Sequence, residues 1–487
     1  MQLWIGVHLP SLCLEVFRPM WSSEPGAAFA VVERERVVAF DGAARAAGVR
    51  AGMRRSGVLT LVPDAEVRER DVDRERDTLS ALATSLMQFS PQITLAEENS
   101  VLVDVSASLR LFGGIRPLLR AMRGVANAIG VTASFAAAPT GEGAWLLARR
   151  GGWALSHRSL LGRLSRLPVV LLPPARKYAE WFAGVGCQTI GELMRLPRAG
   201  LKKRCGIALL DMIDRATGAA PEVYDWLELP PAFSARLEMP DRIGHAESCL
   251  FAARRLIVQM TGWLVNQQLA LARFEIQLEH ERGRAAIEPT TIDIALAEPT
   301  WHEEHLVRLL RERLSRVELA AAVIAIRIDA RDVQPAVPAS RSLFPEPGGS
   351  PADHARLMEL LVARLGSENV LRPAPADDHR PEAAARWVPL TDAARWAPPP
   401  GDTPRPLWLL EEPVKLLVRA HRPFYATPLR MMSPGERLEA GWFGGELVTR
   451  DYFVAESDDF VCYWIYRERV GSRDDQEARW YLHGLFG

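Results

Sequence analysis

Paired cysteines, long apolar runs and an excess of charge of either sign are all missing from this chain of 487 residues. Its five cysteines, Cys13, Cys187, Cys205, Cys249 and Cys462, lie far apart and form no C-x-x-C pair. A zinc site or disulfide framework is therefore not expected, and a reducing compartment is the simple reading. No stretch reaches the length of a membrane span, and the first residues lack the basic start and apolar core of a secretory signal, so a cytoplasmic protein without membrane contact is expected. The 59 basic and 60 acidic residues leave a net charge of -1, so any affinity for nucleic acid must come from local basic faces. Two familiar site patterns are also missing. GVG at Gly184 to Gly186 lacks the third glycine of a dinucleotide fingerprint. His302 and His305 in WHEEH lack the H-E-x-x-H spacing and read as polar residues at a helix start. No metal and no organic cofactor is expected. One last absence is local: no Asp or Glu precedes Glu15.

What is present reads as several ordered domains, since 48% apolar and 24% charged residues are ordinary globular values and the length exceeds one core. Residues 3–9 form a short apolar strand stopped by Pro10, and 28–32 with 37–40 read as a two-strand hairpin. A basic module, GAARAAGVRAGMRRSG, follows from Gly42 to Gly57, helical in its alanine-rich half with Gly48 placed to end the helix. Leu79, Leu82, Leu86 and Phe89 recur at intervals of three and four, predicting a long helix over 71–89. The buried-strand pattern SVLVDVS, Ser100 to Ser106, leads through LFGG to a helix over 115–129, then to the strand VTASFAAAP and the helix GEGAWLLARR. Such alternation suits an α/β or α+β domain.

From Leu167 to Ala220 the chain turns to short helices and tight turns, and GVGCQTIGELMRLP with the following helices looks like a helix-hairpin-helix element. Hairpins of this kind aim backbone N–H groups and nearby cations at phosphates, which makes Arg176, Lys177, Lys202, Lys203 and Arg204 DNA-contact candidates. Over 235–334, Phe274, Ile276 and Leu278, then Ile292, Ile294 and Leu296, then Ile324, Ile326 and Ile328 alternate with polar residues. Helices between them complete a β-α-β-β-α-β order. Two Pro-rich stretches, 333–351 and 389–406, flank a helical pattern, and the tail ends in aromatic, strand-like segments.

The opening strand, GVRAG, SVLVDVS beside LFGG, the hairpin segment and the β-α-β-β-α-β domain together resemble the Y-family translesion DNA polymerases over residues 1–334. That resemblance implies a multidomain α+β right hand. Its palm would occupy 1–10 and 70–165, its fingers 11–69, its helix-hairpin-helix thumb 166–231 and its little finger 235–334. A linker over 335–351, a helical segment over 352–388, a Pro-rich linker over 389–406 and a partner-binding region over 407–487 would follow. The ending RDYFV, WIYRER and WYLHGLFG is similar to the tail of the polymerase-like members of the bacterial mutagenesis cassette.

Active members of the family carry metal-binding carboxylates whose matching positions here are Gly6, His8, Asn99 and Ser100. The steric-gate position falls near Ser11, the triphosphate-binding Tyr on Gly42 with its companion on Arg45, and the Lys of the A-P-N-K stretch on Gly141. Glu97, Glu98 and Asp104 remain nearby, but a two-residue slide along a strand moves a side chain about 7 Å, whereas Mg²⁺ needs oxygens at roughly 2.1 Å. The resemblance thus implies a polymerase-shaped protein that binds rather than catalyses, in DNA repair and damage-induced mutagenesis. Its partners would be the sliding clamp, a RecA-like accessory protein (ImuA), an error-prone polymerase III alpha-type subunit (ImuC) and primer-template DNA, with nucleoid association when engaged.

Ser342, Leu343 and Phe344 in SRSLFPEP resemble the end of a clamp-binding peptide, in which apolar anchors of an extended segment enter a preformed pocket. Trp464, Tyr466, Trp480, Tyr481 and Phe486, with Trp442 and Tyr452, are the tail's candidates for partner contact. Two alternatives stand beside this reading: a translesion polymerase with a different metal-ligand set, and a DNA-binding repair protein that never meets the clamp.

Overall fold

The computed structural model describes residues 2–20, 27–281, 287–336, 351–390, 392, 404–442, 447–469 and 479–486. Its contacts divide the chain into two compact units, Met1–Leu360 and Leu361–Gly487. The mixed α+β class expected from the sequence is what these residues form.

In the first unit the chain runs through β1 (Trp4–His8) and α1 (Leu12–Glu15) into a small module of β2 (Phe29–Glu33), β3 (Arg36–Phe40), α2 (Gly42–Ala46), α3 (Arg55–Leu61) and β4 (Glu66–Glu69). It returns through α4 (Val72–Leu86), β5 (Ile93–Ala96), β6 (Ser100–Asp104), α5 (Ile115–Ile129), β7 (Ser134–Ala138), α6 (Gly141–Ala148), β8 (Gly152–Trp153) and α7 (His157–Leu164). The palm-like sheet has the order β5-β6-β1-β7-β8, with β1 antiparallel to both neighbours.

Alternation along β1 splits its side chains between two cores. Leu3, Ile5 and Val7 join the leucine stripe of α4 and the buried face of α5, while Trp4 packs with α6 and the thumb-like helices. Each fully buried aliphatic side chain contributes roughly 1.5–3 kcal/mol. The ends of the two long helices follow their sequence signals. Asp71 caps α4 by accepting from the Arg74 N–H, and Gly130, at φ 87°, closes α5 in the left-handed region where a side chain would be strained.

Five short helices follow: α8 (Pro173–Arg176), α9 (Ala179–Gly184), α10 (Ile190–Arg195), α11 (Arg198–Cys205) and α12 (Ile207–Thr217). Then come β9 (Ser234–Ile243), α13 (Leu250–Asn266), β10 (Leu269–His280), β11 (Thr290–Thr300), α14 (Glu303–Leu314) and β12 (Val323–Pro335), in the expected β-α-β-β-α-β order with sheet order β11-β10-β12-β9. Helix α13 is buried nearly all round, from Ala252 to Leu264. One side covers this sheet. The other lies on the palm-like layer, where Val258 enters the α4–α5 core and Arg255 donates to the Thr78 hydroxyl at 3.0 Å. At Gly262 a Cβ would come within 2.7 Å of the Ser85 Cα, so the two helices touch backbone to backbone.

Helix α15 (Pro351–Leu365) is shorter than the helical segment expected over 352–388. Beyond it β13 (Leu371–Pro375) and β14 (Ala385–Pro389) form an antiparallel hairpin. In LRPAP and ARWVP, Pro375 and Pro389 end their strands, and the mid-strand Pro373 is tolerated because both strands of a two-stranded sheet are edges.

The second unit is built on β15 (Trp408–Arg419), β16 (Arg422–Tyr425), β17 (Thr427–Pro428), β18 (Arg430–Met431), β19 (Glu436–Ala440), β20 (Val448–Glu456), β21 (Cys462–Glu468) and β22 (Arg479–Leu485) in one antiparallel sheet. Both of its faces carry core. Leu416, Phe453, Ile465, Trp480 and Leu482 cluster on one, and Tyr452, Trp464, Tyr466, Tyr481 and Phe486 on the other. The tail aromatics therefore need correction as partner contacts: Trp464, Tyr466 and Trp480 are buried, and Tyr481 and Phe486 are half-buried against them. Among the described aromatic residues of this sheet and its turns, Trp408, Tyr425, Trp442 and Phe460 are exposed.

Candidate active site and nucleic-acid interface

Gly6, His8 and Ser100 meet where β1 runs beside β6, with His8 directly opposite Ser100 and Gly6 opposite Leu102. The turn before β6 holds Glu98 and Asn99 at φ 56° and 52°, two consecutive left-handed residues of the kind that join strands tightly. Asn99 thus belongs to the turn and Ser100 opens the strand, where the run SVLVDVS also begins.

At Gly6 the face that would carry a carboxylate is closed. A Cβ built there falls 2.6 Å from the Ala144 carbonyl carbon and nearer still to its oxygen, because the backbone of α6 lies directly on β1. His8 Nδ1 sits 2.9 Å from the Glu98 carbonyl oxygen and 3.1 Å from the Ser100 hydroxyl. Burial holds the His8 pKa below its ordinary value, and the neighbouring Arg149 acts in the same direction.

Cations take the place of acids around this turn. Arg149, nearly buried, pairs with Glu98, donates to the Leu171 carbonyl and lies 3.9 Å over the Trp145 ring, while the Trp145 indole donates to the Glu97 carbonyl at 2.9 Å. Arg176 pairs with the other Glu98 oxygen and donates to the Val170 carbonyl at 3.0 Å. Two guanidinium groups thus occupy both oxygens of the one carboxylate at this turn, leaving neither free for a metal ion. Asp104 is at the far end of β6, where it accepts from the Ser106 N–H at 2.9 Å. Among the described residues no three His, Cys, Asp or Glu side chains converge to hold a metal.

A second carboxylate closes the neighbouring helix end. Glu222 accepts from the Gly141 and Glu142 N–H groups at 2.8 and 2.7 Å, at the positive N-terminus of α6, and the Tyr224 hydroxyl donates to it at 3.0 Å. At Gly141 a Cβ would come within 2.8 Å of the Tyr224 ring, so a longer side chain at this position would have to displace Tyr224 from Glu222. Tyr224 and Trp226 then pack on Trp4 at 4.8 and 6.0 Å. Beside them Glu142 faces Arg215, and burial pushes its carboxyl above the usual range. Arg149, Trp145, Glu222 and Tyr224 escape a reading of the sequence because their partners lie tens of residues away. The only local sign was the concentration of Trp, Arg and Gly around α6.

The DNA-contact candidates divide. Arg176 is held by Glu98, and Pro173–Arg176 forms a short helix started by prolines rather than a glycine hairpin. Lys177, Lys202, Lys203 and Arg204 are exposed, with Lys177 5.1 Å over Tyr178 and Arg204 4.8 Å over Trp181. Between α11 and α12 the turn at Gly206, φ 84°, opens the N-terminus of α12 to the surface. On the open face of the β9–β12 sheet every arginine is paired: Arg236 with Glu238 and Glu279, Arg273 with Asp293, Arg331 with Glu275 and Asp329, and Arg327 with Asp329. The clamp-peptide candidates Ser342, Leu343 and Phe344 lie outside the described residues.

Residues 13–149, most of the palm-like and fingers-like parts, match the impB/mucB/samB family. Over these residues the chain is similar to that family. Over 90% of its length it is 28% identical to Protein ImuB of Caulobacter vibrioides strain NA1000 / CB15N, all of which is covered. The same figures hold for Protein ImuB of strain ATCC 19089 / CIP 103742 / CB 15. Among solved structures, DinB from Sulfolobus solfataricus aligns with 69% of this chain and 100% of its own at 16% identity and a TM-score of 0.37. A Dbh ternary complex aligns with 67% and 98% at 16% identity and 0.38. Beyond the 13–149 family match, the ImuB alignment carries the likeness through the β9–β12 domain and into the tail.

Proposed function

We propose that this chain is a non-catalytic, polymerase-shaped scaffold for translesion synthesis in damage-induced mutagenesis. In this reading it holds primer-template DNA and links the sliding clamp, RecA-like ImuA and the error-prone polymerase ImuC, which performs the chemistry. The observation that carries the reading is the packing of α6 on Gly6. Two-metal phosphoryl transfer needs carboxylates on this strand, and the strand has neither the carboxylate nor the space for one. The pairing of Arg149 and Arg176 with Glu98 supports it, since the acid nearest the site is already neutralised. The ImuB likeness along most of the chain supplies the biological setting.

Primer extension by the purified protein with Mg²⁺ or Mn²⁺ tests the absence of catalysis, and no incorporation is expected. Incorporation that disappears on changing Glu97, Glu98 or Asp104 would establish an unusual metal site instead. Clamp capture by wild type and by the Leu343→Ala, Phe344→Ala variant tests the linking role. Loss of capture in the variant is expected, and equal retention would remove the peptide from the scheme.

A further inference from the structure

The fingers-like module places like charges side by side. Arg36 on β3 and Arg54 before α3 are direct antiparallel partners, held in register by hydrogen bonds of 2.8 Å between Val37 and Gly52 and between Val37 and Met53. Opposed residues of antiparallel strands share a face, and like charges so placed destabilise the pair. The Arg36 guanidinium donates to the Gly52 carbonyl at 3.0 Å, a neutral acceptor that leaves both charges uncancelled.

Around this pair arginines are numerous and several of the acids are engaged elsewhere, while Glu35 and Asp64 are exposed and form no ion pair among the described residues. Residues 34–63 hold six arginines, Arg34, Arg36, Arg45, Arg50, Arg54 and Arg55, against Glu35 and Asp41. Asp41 caps α2 by accepting from the Ala44 N–H at 2.7 Å. Of the flanking acids, Glu33 pairs with Arg70, and Glu66 with Arg18 and Arg68. Arg36, Arg50 and Arg54 are exposed, and among the described residues none of them forms an ion pair. The contrast with the β9–β12 sheet, where each arginine of the open face meets a carboxylate, marks this surface as one whose counter-charge comes from outside the chain.

We propose that Arg36, Arg50 and Arg54 form a binding surface for the phosphate backbone of a nucleic-acid strand. The exposed residues flanking Arg50 in the chain, Ala46, Ala47, Gly48, Ala51 and Gly52, are small enough for a phosphate chain to approach the protein backbone closely. The one aromatic in 34–63, Phe40, packs partly buried against the module's core with Arg45 5.5 Å over its ring, so it is not a free anchor for a protein partner or a base. Contact through phosphates alone is insensitive to sequence. This inference rests on the DNA-holding part of the proposed function, and the experiment separates the two.

Full-length protein is titrated onto a labelled primer-template with a single-stranded overhang, by fluorescence anisotropy, across a salt series. The variant Arg36→Gln, Arg50→Gln, Arg54→Gln is expected to bind at least about tenfold more weakly, with a log K against log salt slope shallower by about two. Its melting temperature is expected to equal or exceed that of wild type, because the like-charge pair is relieved, so the loss cannot be assigned to unfolding. Unchanged affinity and slope would overturn the surface while leaving DNA holding intact. Wild type that binds no DNA would overturn both. Competition by polyglutamate equal to that by DNA at matched charge would reassign the surface to an acidic protein and overturn the nucleic-acid reading.

Discussion

Gly6 and Glu98 are the residues on which the palm-like site turns, and each makes a measurable claim. A side chain at position 6 must displace the Ala144 carbonyl, which belongs to helix backbone and cannot swing aside. Gly6→Asp is therefore expected to cost more than about 4 kcal/mol, and Gly6→Ala about 1–3 kcal/mol, by denaturant unfolding. Wild-type stability in the Ala variant would show that α6 yields easily. Glu98→Gln leaves the nearly buried Arg149 without its counter-charge and is expected to cost about 3–5 kcal/mol. Pairing Glu98→Leu with Arg149→Met should recover most of that loss, since the desolvated charge goes with its partner. A double variant no better than the single one would mean that the cation–π contact with Trp145, not the ion pair, holds Arg149.

Among the elements, α13 behaves least like what its sequence suggests. Its apolar spacing predicted a helix covering one sheet face, and the helix is there. Its second contact, against α4 and α5, was illegible because it depends on Gly262 meeting the backbone at Thr84 and Ser85. The same limit applied at the turn before β6, where two consecutive left-handed residues, Glu98 and Asn99, carry no glycine to announce them. It applied again in the tail, where a sheet with core on both faces buries aromatics of either parity. By contrast α5 spans the predicted residues 115–129, because its amphipathic stripe and Gly130 are local signals. Hydrogen exchange should show α13 and α4 opening together, and Gly262→Leu should hasten exchange in both. Acceleration confined to α13 would contradict the shared interface.

The tail sheet gives an element-scale prediction of its own. His483 is buried, hydrogen-bonded to Tyr452 at 2.8 Å, and burial pulls its pKa down to about 4. The unfolded chain takes up this proton first as pH falls, so the stabilisation is whole above about 6.5 and declines toward pH 4. The loss across that window is roughly 3 kcal/mol. Unfolding of the tail at stepped pH should follow it, and His483→Gln should flatten the dependence. An unchanged pH profile in that variant would point to another group.

At the scale of the whole molecule, a net charge of -1 conceals a module whose exposed Arg36, Arg50 and Arg54 have no carboxylate partner among the described residues, and a sheet face that neutralises itself. Mean composition said nothing about where polyanions are met, because that depends on which arginines find carboxylates after folding. Reconstitution with clamp, ImuA, ImuC and primed DNA is expected to show assembly that depends on this chain and synthesis that depends on ImuC. Synthesis by this chain without ImuC would contradict the division of labour.

The contact between α6 and β1 also bears on descent. Once a helix backbone has settled onto the glycine, a single codon change to Asp meets a folding barrier before it can meet any selection for metal binding. A metal site here would require α6 to lift, Arg149 to leave Glu98 and carboxylates to appear together, none useful alone. The packing acts as a ratchet, and change is expected to elaborate surfaces more readily than to build that site.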